Sequence, residues 1–138
     1  NNASLPHWLP KAGSSEIRAS VDVEFTVVIT PSINFGTLNR DMDRLSKEFT
    51  VSVEDALVED NSKVVVRVTN AELAMKDSTG NQSLEFQLEQ PGGIFEFSQE
   101  VLADGEESIT SAITCNPAKL EAAGSYKCIV NFEISYVK

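Results

Sequence analysis

A period of two governs this chain. From Ile17 to Ile29 the apolar residues Ile17, Ala19, Val21, Val23, Phe25, Val27 and Ile29 alternate with Arg18, Ser20, Asp22, Glu24, Thr26 and, once, Val28. Successive side chains of an extended chain point to opposite faces, so the segment reads as one long strand with one face buried. Pro31 then stops ladder pairing, because it has no N–H to donate. The alternation returns at Phe49, Val51 and Val53; at Val64, Val66 and Val68; at Leu84, Phe86 and Leu88; and at Phe95 and Phe97. It returns again along Ile109, Ser111, Ile113 and Cys115, and lastly along Tyr126, Cys128, Val130, Phe132, Ile134 and Tyr136. Turn-forming clusters such as Asn34-Phe35-Gly36, Pro91-Gly92-Gly93 and Asp104-Gly105 separate the runs. Helical signals are confined to single turns at 41–47 and 117–122, both in connections. Short strands at close spacing with no βαβ alternation predict an all-β, immunoglobulin-like antiparallel sandwich.

The 138 residues suit one domain. Residues 16–138 read as the single sandwich. Residues 1–15 read as an N-terminal arm or tail, since Leu5-Pro6-His7-Trp8-Leu9-Pro10 does not alternate and Gly13-Ser14-Ser15 makes a hinge. The formal net charge of -10 argues against nucleic acid as a partner, because phosphate neutralisation needs a basic patch. It argues equally against docking on anionic lipid. No run of about 20 apolar residues is present, so insertion across a membrane as a helix is not expected.

No catalytic constellation stands out, and the chain does not read as an enzyme. His7 is the lone histidine and lies in the irregular arm, away from any nucleophile. The acidic groups around Asp41–Asp43 and Asp104–Glu107 lack calcium-loop spacing and read as solvated loops. No metal or cofactor is called for. Trp8, the single tryptophan, is a candidate partner contact or a packing residue. Cys115 and Cys128 each share a face with core residues of their own strand. If those strands are neighbours, a disulfide clamps the hairpin and contributes about 2–4 kcal/mol. Otherwise the two are buried thiols that pack. Both readings stay open.

The closing segment Gly124-Ser125-Tyr126-Lys127-Cys128-Ile129-Val130-Asn131-Phe132-Glu133-Ile134-Ser135-Tyr136 resembles the end of bacterial chaperone–usher fimbrial subunits (pilins). There, a Gly-x-Tyr precedes a long alternating strand. The passage from the first strand into Ser32-Ile33-Asn34-Phe35-Gly36-Thr37-Leu38 is similar to the early part of those subunits. The resemblance implies a structural or adhesive subunit, exported through the periplasm to a fimbria on the cell surface. It implies an immunoglobulin-like sandwich that lacks its last strand. A periplasmic chaperone and then a neighbouring subunit supply that strand at an outer-membrane usher. Tyr126, Val130, Phe132, Ile134 and Tyr136 would form the edge that pairs with chaperone or subunit. Ile17 to Ile29 would hold the first or donor strand. A host receptor is a further partner the resemblance allows. The alternative is a self-contained immunoglobulin-like surface domain that binds a protein or glycan.

Overall fold

The structure is a computed structural model and describes residues 13–138. It is all-β, with antiparallel pairing throughout the described residues. The strands are β1 (Glu24–Ile29), β2 (Leu45–Leu57), β3 (Lys63–Val68), β4 (Ala74–Lys76), β5 (Ser83–Leu88), β6 (Ile94–Ser98), β7 (Glu107–Cys115) and β8 (Phe132–Val137). A five-stranded sheet has the order β1-β2-β7-β5-β4, and a three-stranded sheet has the order β6-β3-β8.

The alternating residues turn their apolar faces inward, where the two sheets meet in a sandwich-like arrangement. Val51 and Val53 of β2, Val64 and Val66 of β3, and Phe95 and Phe97 of β6 have no exposed surface. Leu84, Phe86, Ile113 and Cys115 complete the buried cluster with Phe49 and Leu102. On the outer face of the five-stranded sheet the polar positions pair across strands, Thr50 with Thr110 at 3.0 Å and Ser52 with Ser108 at 2.7 Å between hydroxyls. Outside the three-stranded sheet, Lys63 meets Glu96 at 3.1 Å and Arg67 meets Glu133 at 2.8 Å. Such cross-strand pairs favour this register, since a one-residue slip would turn the valines to water and the charges inward.

Three expectations from the sequence meet a different outcome. The first strand starts at Glu24, and Gly13 to Asp22 are exposed with no strand pairing. The single turn expected at 41–47 is partly strand, because Leu45, Ser46 and Lys47 find ladder partners in Cys115, Thr114 and Ile113. The last strand is assigned from Phe132 onward and not from Tyr126. Its partner β3 ends at Val68, so residues 126–131 add no rung to the β3–β8 ladder, and Lys127 bridges Lys76 of β4 instead. The Asn70 side chain takes the ladder's place, donating to the Ile129 carbonyl at 2.9 Å and accepting from the Asn131 amide at 2.7 Å. The turn expected at 117–122 does occur, as a 3-10 turn over Pro117–Lys119 capped by the Asn116 side chain.

Candidate strand-docking groove

The two sheets cover each other unequally. The five-stranded sheet has a floor of inward side chains from four strands, Phe49 of β2, Ile113 of β7, Phe86 of β5 and Met75 of β4. Above them lies a cleft of about 310 Å³ instead of a strand. One wall is Thr30 to Phe35, which follows β1. The other is Tyr126 to Phe132, which leads into β8. A second hollow of about 520 Å³ shares Ile33, Phe35, Met75 and Tyr126 with the first and extends to Leu38 and Leu120. The two join at these shared apolar residues into one groove.

Local chemistry sets the walls. Asn34 Oδ1 accepts from the Gly36 amide at 2.8 Å, an Asx turn that aims Phe35 into the groove, and Gly36 has φ +77°, which glycine tolerates best. On the other side Lys127 exchanges two backbone bonds with Lys76 of β4, at 2.9 and 3.0 Å, and Tyr126 donates its hydroxyl proton to the Ala122 carbonyl at 2.6 Å. The wall from Tyr126 to Phe132 is therefore tied to the five-stranded sheet at its start and to the three-stranded sheet at its end.

Beyond the cleft lie β1 and β8, which are edge strands of their respective sheets. Phe132 stacks on Phe49 with ring centroids 5.8 Å apart. Ile134 points the same way yet remains 48% exposed. Level with Tyr136 the gap between the sheets is filled, since Tyr136 stacks on Phe25 of β1 at 6.2 Å. The Tyr136 hydroxyl accepts from the Glu59 amide and donates to Glu59 Oε1, both at 3.0 Å, and Lys138 reaches Glu59 Oε2 at 2.8 Å.

The Lys138 hydrogen bond, and then the Tyr136 hydrogen bond, hold the Glu59 carboxyl below its ordinary value of 4.5. A carboxylate whose pKa is lowered on folding stabilises above its unfolded value, and that gain is lost as pH falls through the folded one. The Glu59→Gln variant is thus expected to melt slightly below the parent at neutral pH. The difference should close as the pH falls below 4.5, and added salt should shrink it, because Glu59 is exposed. Thermal melts of both proteins across acid pH measure this.

The sequence-predicted site residues divide. Tyr126, Val130, Phe132 and Tyr136 pack against the core from the groove side, whereas Ile134 stays exposed. Phe25, Val27 and Ile29 do so from β1. Ile17, Ala19 and Val21 do not, being exposed, with Ile17 at 90% and Val21 at 73%; Val23 is half-buried. Trp8 and His7 lie outside the described residues, as does most of the expected arm at 1–15.

Both cysteines are free thiols. The expected hairpin does not form between them, since β5 and β4 stand between β7, which carries Cys115, and the Cys128 segment. A disulfide needs its Cα atoms within about 7 Å. Burial pushes the Cys115 thiol up, opposed by the Arg44 guanidinium, whereas Cys128 lines the groove. The walls at Ile33, Phe35 and Leu38 and the Glu59 contact were not singled out as groove residues. The only signal in the sequence was Phe35-Gly36 after a proline-stopped strand.

The fold and the groove together define a class: an all-β protein of two antiparallel sheets with an open groove walled by the segments that follow β1 and precede β8. No protein-family model matches the chain, and no significant similarity to a curated protein was found.

Proposed function

We propose that this protein is a structural subunit of a bacterial surface fimbria, an immunoglobulin-like sandwich completed in trans by the alternating segment of a second copy. One pairing of features carries the reading. The chain has an apolar groove beside a free strand edge, and it also has an unpaired segment, Ile17 to Val23, with the pattern to fill it. An exposed alternating stretch of this kind is a hazard unless something covers it. Extended, its seven residues span about 23 Å, a length suited to the groove wall from Tyr126 to Phe132.

The same segment cannot serve its own groove. Val23 runs directly into Glu24, which is already registered against Leu57 of β2. No residue is left between them to reverse the chain. Each copy thus offers one segment and one groove, and this heterologous contact builds an open chain of subunits. Before assembly the bare β8 edge needs cover, which is the role proposed for a periplasmic chaperone pairing along Phe132, Ile134 and Tyr136. An outer-membrane usher would be the site of exchange.

Denaturing gels test the reading. Unheated samples of the intact chain should show a ladder of multimers that collapses on boiling. A chain lacking residues 16–23 should run as a monomer. A single monomer band from the intact chain would favour the self-contained binding domain.

A further inference from the structure

The groove has two unlike ends. At the Leu38 and Leu120 end it opens onto loops. At the other end the Phe25–Tyr136 stack fills the gap between the sheets, and three hydrogen bonds to Glu59 hold Tyr136 and Lys138 in place. A bulge lies in β2 opposite Phe25, where the register passes from Glu24↔Leu57 to Thr26↔Glu54 and Asp55 takes φ +50°. Bulges re-aim a strand edge and are costly to shift.

We infer that Tyr136 is the end stop of the groove and sets the register at which an incoming strand docks. The inference rests on the assembly proposed above. Its content is a count. A strand paired along β8 places its inward side chains level with the inward side chains of its partner. Level with Tyr136 the Phe25 ring fills the gap; level with Ile134 the inward side chain is still 48% exposed and can be covered. Going away from the stop, the inward positions are Ile134, Phe132, Val130 and Cys128. The free segment carries four inward apolar residues, Ile17, Ala19, Val21 and Val23. When the first of them abuts the stop beside Ile134, the fourth comes level with Cys128. The residue beside Cys128 is therefore Ile17 or Val23, according to strand direction, and never Ala19 or Val21. Hydrogen bonding along a strand edge does not distinguish one register from another. The stop does.

Cys128 makes the count measurable. Full-length chains carrying Ile17→Cys, Ala19→Cys, Val21→Cys or Val23→Cys are oxidised with diamide, boiled and run without reductant. Cys115 is buried and its thiol pushed up, so Cys128 is the native partner. A disulfide ladder from position 17 or from position 23 alone is the expected result, and which of the two reads the strand direction. In the Tyr136→Val background the ladder at that position should fall several-fold, as the strand slides two residues into the vacated end. Phe25→Leu opens the same end from the other sheet and should act alike, which covers the case in which one variant does not fold. A ladder at 19 or 21, equal ladders at all four, or an unchanged ladder in both opened variants would overturn the end stop. Absence of disulfide ladders and of heat-sensitive multimers together would instead overturn the assembly beneath it.

Discussion

A synthetic peptide spanning Glu16 to Val23, added to a chain that lacks those residues, is expected to raise its melting temperature by on the order of 10 °C at about 100 times the dissociation constant. The figure follows from mass action. A ligand at that excess stabilises the state that binds it by about 2.7 kcal/mol, and a domain of this size gains about 3–5 °C per kcal/mol. The truncated chain should fold, because Ile17, Ala19 and Val21 are exposed and make no strand pairs. The groove the peptide enters is lined by Phe35, Phe49, Phe86 and Ile113, so the peptide's apolar face leaves water on docking. A peptide with Val21→Asp should give no shift, since an unpaired carboxylate would have to leave water for an apolar site. Differential scanning calorimetry of the truncated chain with each peptide makes the comparison. Equal shifts from both would mean that the groove does not read the apolar face, and the assembly proposal would fail.

Alternation made the fold legible and also set its limits. It located the runs at Val64–Val68, Leu84–Leu88 and Phe95–Phe97 because there Val64, Val66, Leu84, Phe86, Leu88, Phe95 and Phe97 turn into the common core. It over-extended the first strand for a physical reason: a period of two records the face a segment can bury, not whether this chain supplies the partner. Ile17 to Val23 carries the pattern as cleanly as Phe25 to Ile29, yet only the latter has β2 beside it. The last strand was over-read for a related reason, since the β3 ladder ends at Val68 and the Asn70 side chain takes over its bonds to Ile129 and Asn131. The cysteines show a further limit. Their inward direction is a local property and was readable. Their separation by β5 and β4 is a property of strand order, which no local pattern encodes. The groove is of this second kind, since its floor draws one residue from each of four strands.

The contrast between core and groove gives the largest stability effect. Phe95→Ala should destabilise the monomer by about 3–5 kcal/mol, whereas Ile134→Ala should cost far less. Phe95 has no exposed surface, lies opposite Val66 in the ladder, and meets the Phe49 ring at 6.3 Å, so truncation leaves a cavity under both sheets. Ile134 sits opposite the same Val66 on the far side of β3 and also faces inward. It is nonetheless 48% exposed, so truncation removes a half-solvated side chain and opens no closed cavity. Two apolar residues flanking one valine thus differ because β6 is roofed and β8 faces the groove. Urea unfolding of the chain lacking residues 16–23 measures the two costs with no segment available to dock. In the intact, assembling chain the ranking should narrow, since a docked strand buries Ile134 and its truncation then leaves a cavity as well. If Ile134→Ala costs the same with and without residues 16–23, β8 gains no cover from a second copy.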